Sequence, residues 1–229
     1  MIIKKIMIIT NKFQGDKNMY EKEDIEEIKK ILGENLVTLA EYNNGDETRC
    51  LAICNNLDLT TLTDLKKVDI VPMVFTKDEI KNAVDVFPVE FLNIKRHHKM
   101  LHGEDILKDI VVSKEKLRHQ LEFEFRSKLI HLRQSYIGSD VDDLDELILN
   151  AVPTLAPIIG AVMYIKGVEV EYDPELVKVM VGIDTRVVMD IHKIRTGKAK
   201  FEGDKSKYIE RLINVLTQVG DIVDKMEAS

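Results

Sequence analysis

The chain is expected to be an α+β protein, with a small mixed-sheet α/β unit over residues 1–85 and an all-α helical bundle over residues 86–229. Three observations lead there. Short apolar runs of strand length alternate with helix-period segments as far as Asp85. Beyond that point the strand pattern stops, and long segments repeat their apolar residues every three or four positions. The 229 residues are 45% hydrophobic and 32% charged, with the charges interleaved among Ile, Leu and Val, which supplies a core and excludes wholesale disorder.

The elements follow in order. Residues 1–10 have the basic residue and apolar run of a signal peptide, but lysines interrupt the run and no small-residue cleavage site follows, so a first strand is expected. A polar turn over 11–18 leads to a helix over 21–32, with Ile25, Ile28 and Leu32 on one stripe and Gly33 closing it. Strands are expected at 36–40 and 50–54, separated by the turn Asn43, Asn44, Gly45 and Asp46. A helix over 57–65, a third strand over 68–75 and a helix capped by Thr76 complete the first part. Residues 85–101 read as helical, ended by a turn at His102, Gly103, Glu104 and Asp105. Ser113 then caps a long helix to Tyr136, whose apolar face is Leu117, Leu121, Phe125, Leu129, Leu132 and Tyr136. Arg118, Glu122 and Arg126 form an i,i+4 ladder on it. The uncharged stretch 147–165 approaches membrane-spanning length but carries Pro153, Pro157 and Gly160, so a buried helix kinked by its prolines is expected. Asp173, Pro174 and Glu175 start a further helix. The last helix carries the stripe Ile209, Leu212, Leu216, Val219, Val223 and Met226, a packing seam within the chain or in a homodimer.

Charge and cysteine content narrow the function classes. A net charge of -7 argues against a dedicated nucleic-acid coat or a generally basic membrane binder. The two cysteines, Cys50 and Cys54, are too few for a secreted disulfide framework. On a strand they would stand roughly 13 Å apart on one face, beyond bridging distance. They read as core residues of a cytoplasmic protein. The Lys-, Glu- and Ile-rich composition is that expected of a thermophile.

Several groups of side chains are candidates for chemistry. His97, His98 and His102 form the densest imidazole cluster, and on a helix His98 and His102 would share a face as a two-histidine metal site does. Lys99 stands where the zincin pattern needs Glu, and Lys95, Arg96 and Lys99 make the segment cationic, which suits a phosphate or nucleotide better than a divalent cation. A solvated helical face is the plainer reading. Arg126 and His131 have the Arg-x4-His spacing that resembles the HEPN helical ribonucleases, a reading as an RNA-binding or RNA-cleaving helical protein. No serine has a nucleophile-elbow context, and there is no Walker loop or Gly-x-Gly-x-x-Gly. The acids that could hold Mg²⁺ in the first part are Asp46, Glu47, Asp58 and Asp69.

Taken together, the helix, strand, turn, strand, helix order and the segment Val71, Pro72, Met73, Val74, Phe75, Thr76 resemble the minimal nucleotidyltransferase domains of the polymerase-β superfamily. Phe87, Pro88, Val89, Glu90, Phe91 and Leu92, the His102–Asp105 turn, and the stretch from Leu117 through Arg126 to Tyr136 resemble the helical region attached to one group of these proteins. The resemblance implies a nucleotidyltransferase-like α/β domain with a helical domain behind it. It also implies a Gly-Ser pair on the turn after the first core strand and Asp-x-Asp on the next strand, holding two Mg²⁺ ions. Here Asn43 and Asn44 stand in place of the pair, and Thr48, Arg49, Cys50, Leu51 and Ala52 contain no acid. The expected function is therefore that of a nucleotidyltransferase-fold pseudoenzyme, with a nucleotide-binding or protein-interaction role. Nucleotide contacts are expected at Asn43, Asn44, Gly45, Asp46 and Arg49, and any protein partner on the helical domain. The alternative is an active Mg²⁺-dependent enzyme that takes a nucleotide triphosphate and transfers AMP to a protein or small molecule, with Asp46, Glu47 and Asp69 as metal ligands.

Overall fold

The computed structural model describes residues 20, 22–44, 47–168 and 172–226, with the backbone alone at Asn44, Glu47 and Val141. The strand expected over 1–10 and the turn over 11–18 lie outside the described residues. So do Gly45 and Asp46.

The protein is mixed α and β. Helix α1 (Lys22–Leu32) ends in a 3-10 turn (Gly33–Asn35), and the chain enters β1 (Leu36–Asn44) and β2 (Glu47–Cys54). These two pair antiparallel from Leu36↔Cys54 to Asn44↔Glu47, so Asn43 and Asn44 belong to the ladder and only two residues connect the strands. Helix α2 (Leu59–Leu65) carries the chain to β3 (Met73–Thr76), parallel to β2. The sheet order is β3-β2-β1-β4, with β4 (His98–Gly103) antiparallel to β1 on its other edge.

Two expectations are corrected here. The third strand starts at Met73 rather than Val68. Pro72 has no N–H to give a ladder, and Val68 and Ile70 turn inward against α1 and α2 instead. The helix expected over 85–101 is three elements. Helix α3 (Lys77–Val86) ends, Pro88 opens α4 (Pro88–His97), and the chain passes without a loop into β4. What makes 98–103 a strand is a partner 58 residues away: Glu41 sits across from Lys99, and Lys99 Nζ lies 3.0 Å from its carboxylate. No local pattern carries that pairing.

Helix α5 (Lys114–Gly138) is capped by Ser113, and the Arg118–Glu122–Arg126 ladder forms with 3.5 Å contacts. A 3-10 turn (Val141–Asp143) leads to α6 (Leu144–Ala151) and α7 (Leu155–Ile165), two buried helices broken at Pro153. By length and composition the run Leu144–Ile165 could cross a membrane, but 56% of its most apolar window is buried inside the protein. Helices α8 (Pro174–Val181), α9 (Arg186–Arg195) and α10 (Ser206–Asp224) finish the chain. Asp173 accepts from Glu175 N at 2.9 Å, as its place before Pro174 leads one to expect. The seam on α10 packs within the chain, against α5.

Alternation along β2 divides the core. Leu51 and Ile53 face a large cluster shared with α3 to α10, whereas Cys50 and Ala52 face a smaller one closed by Ile28 and Leu32 of α1 and Leu65 of α2. The large cluster runs unbroken from Ala40 and Tyr42 of the sheet to Val223 of α10. Tyr136 departs from the buried face expected of it and is 39% exposed.

Candidate functional site

The hairpin end and the helical part meet at one cleft of about 270 Å³. That is near the lower end of the usual range for small-molecule sites. Its polar lining is Asn43 from the end of β1, Asn93, Arg96 and His97 from α4, and Tyr172 from the segment before α8. Its apolar wall is Val89 and Leu92 of α4 with Ala156, Pro157 and Gly160 of α7. Asn93, Arg96 and His97 line one side because residues three and four apart share a helix face. Their helix is held there at its start: Gln120 of α5 accepts from Val89 N at 2.9 Å and donates to Glu90 at 2.9 Å.

The cleft is tied together by polar contacts. Asn93 Nδ2 donates to the Asn43 carbonyl at 2.8 Å, joining α4 to the hairpin. Asn43 Oδ1 accepts from the Thr48 hydroxyl at 3.0 Å across the hairpin. Arg96 Nη1 lies 3.5 Å from the Gly160 carbonyl, with its guanidinium 5.2 Å from the centre of the Tyr164 ring, which fixes α4 against α7. Tyr172 donates to the Thr185 carbonyl at 2.8 Å, and burial pushes its hydroxyl up to about 12. Outside the lining, Arg49 stands beside Tyr42, whose hydroxyl it hydrogen-bonds. Burial raises that hydroxyl's pKa, and the arginine pulls it back down.

The cationic segment of α4 and β4 is dispersed. Lys95 Nζ donates to the Ile110 carbonyl at 2.7 Å, and Lys99 pairs with Glu41. The His98–His102 pair expected on one helix face is not formed, because both residues stand on β4, where four positions span roughly 13 Å. His98 is turned inward: its Nδ1 lies 3.1 Å from the carbonyls of Ile94 and Lys95, and its Nε2 lies 3.0 Å from Asp105. It closes the end of α4 rather than binding a ligand. His102 is exposed. Arg126 and His131 are five apart on α5, so a helix turns them about 140° from one another. Arg126 is engaged by Glu122 and Asp224 instead.

Of the expected nucleotide contacts, Asn43 is on the cleft, Asn44 is at the end of β1, and Arg49, beside Tyr42, is not one of the lining residues. Gly45 and Asp46 lie outside the described residues, as does the Glu47 side chain. Asp69 lies in an exposed bend before β3, not at the start of that strand. Among the described residues no three His, Cys, Asp or Glu side chains gather around a point that could hold an ion. The cleft offers amides, a guanidinium, an imidazole and a phenol. That set does not fit Mg²⁺, which takes hard oxygen ligands, and does fit phosphate oxygens. Sequence reasoning missed Asn93 and Tyr172. Asn93 was visible only as a polar residue three positions before Arg96, and Tyr172 gave no signal.

Compared with protein-family models and with curated proteins, the chain finds no match.

Proposed function

We propose that the chain is a nucleotidyltransferase-fold protein that binds a nucleotide at the hairpin cleft and acts through binding rather than nucleotidyl transfer. The observation behind this reading is that Asn43, at the hairpin end where such proteins carry their phosphate-binding turn, shares one cleft with Asn93, Arg96 and His97. The Asn43 amide N–H₂ and the His97 imidazole supply donors for phosphate oxygens. The Arg96 guanidinium supplies fixed positive charge, and Val89, Leu92 and Pro157 supply an apolar surface for a base. With no carboxylate among the described residues that line the cleft, this reading assigns it recognition rather than the orienting of two metal ions against a triphosphate.

Calorimetric titration with ATP, with and without Mg²⁺, tests this. The expected result is binding of similar affinity in both conditions, weakened about tenfold in Asn43→Asp by charge repulsion and unchanged in Asp46→Ala. Binding that requires Mg²⁺ and disappears in Asp46→Ala would overturn the reading and favour the enzyme that transfers AMP.

A further inference from the structure

The cleft sets out its chemistry in order along α4. From Val89 to His97 the helix rises about 12 Å, with Val89 and Leu92 at the start, Asn93 in the middle, and Arg96 and His97 at the end. A base on the apolar stretch leaves room for its sugar beside Asn93 and for one phosphate at Arg96 and His97. The row of donors stops there. His98 is turned inward to Asp105, and Lys99 pairs with Glu41. Lys95, the other nearby cation, donates to the Ile110 carbonyl. The Ile94 and Lys95 carbonyls, which would repel an anion at this end of α4, both face His98 Nδ1 at 3.1 Å.

Charge sets the same limit as length. A phosphate monoester carries about two negative charges, and a triphosphate roughly twice as many. Among the described lining residues, Arg96 is the one lysine or arginine, and no carboxylate is present to hold the Mg²⁺ that would screen further phosphates. In a chain of net charge -7, phosphates beyond the first would gain no partner here and would meet charge of their own sign. We infer that the cleft is a nucleoside monophosphate site, in which Arg96 and His97 hold the single phosphate. This rests on the nucleotide reading above and narrows it to the number of phosphates read.

The test titrates AMP, GMP, CMP and UMP into the full chain by calorimetry, with a chelator present. The tightest of them is then compared with its own triphosphate and its own nucleoside. The monophosphate should bind at least as tightly as the triphosphate and at least about tenfold tighter than the nucleoside, the worth of a charge-assisted phosphate contact. Arg96→Met should erase the advantage over the nucleoside. Because Arg96 also packs on Tyr164, His97→Ala serves as the variant that keeps that contact. It should weaken the monophosphate about threefold or more, leave the nucleoside unchanged, and melt as the wild type does. A triphosphate tighter by about threefold or more, a nucleoside as tight as the monophosphate, or full monophosphate affinity in His97→Ala overturns the inference and leaves the nucleotide reading standing. Absence of binding by every nucleotide, monophosphate and triphosphate alike, overturns both.

Discussion

Cys50 lies on β2 with its thiol in the smaller core cluster, 2% exposed. Burial, reinforced by the nearby Glu41 charge, pushes the thiol up to about 12 from its ordinary 9.0. An unfolded chain releases that proton near 9.0, so between the two values the unfolded state holds fewer protons than the native one. The contribution is whole below the unfolded value and is lost as pH rises towards the folded one. Tyr172 adds a second loss of the same sign between 10.0 and about 12. The expected outcome is a fall in unfolding free energy between about pH 8 and about pH 10.5, of which Cys50→Ala removes about 1–2 kcal/mol. Urea denaturation at the two pH values checks this. Cys50 was legible as a core residue because a strand with few polar neighbours buries a small thiol. Its shared pocket with α1 and α2 was not legible, since it depends on which face of β2 those helices cover.

The passage from α4 to β4 shows why some elements were legible and others were not. Local signals at Thr76, Ser113 and Asp173 were read correctly, whereas Asp58, read only as an acid that could hold Mg²⁺, caps α2 by accepting from Thr61 N at 2.7 Å. The capping box of Thr76 and Glu79 at α3 closes with bonds of 2.7 and 3.2 Å, and Ser113 and Asp173 cap α5 and α8. Strand β4 carries no such signal. Its end is fixed by Gly103, where the backbone has φ +84° and an added Cβ would sit 2.1 Å from the Val37 carbonyl oxygen. Just beyond, Glu104 N donates to that same oxygen at 2.8 Å and the Thr38 hydroxyl donates to the Glu104 carbonyl. Gly103→Ala should therefore push β4 from the sheet edge, costing about 3 kcal/mol or more. Denaturant titration measures the loss, and hydrogen exchange should show it centred on the β1–β4 ladder.

Helix α5 is the element on which most of the other described helices rest, with α3, α4, α6, α7 and α10 against it and Phe125 fully buried at its middle beside Gly220. The apolar cluster it anchors continues into the sheet through Ala40, Tyr42, Leu51 and Ile53. Phe125→Ala should cost about 3–5 kcal/mol. Because the core is continuous, far-ultraviolet dichroism and tyrosine fluorescence should report a single shared transition, lowered in the variant. Two separated transitions would show that sheet and helices unfold apart. The α+β class was legible from alternation and period. The cleft was not, because Asn43, Asn93 and Tyr172 are distant in the chain and meet only through α4, the hairpin and the segment before α8.

The absence of a loop between α4 and β4 bears on how a guest would be received. His97 is the last residue of the helix and His98 the first of the strand. The helix therefore cannot tilt without peeling its own strand from β1. The wall that carries Asn93, Arg96 and His97 is thus held by main-chain bonds of the sheet edge, not by side-chain packing alone. A ligand would meet a preorganised surface, and its affinity would be set by the chemistry of contact rather than by the entropy of ordering a mobile segment.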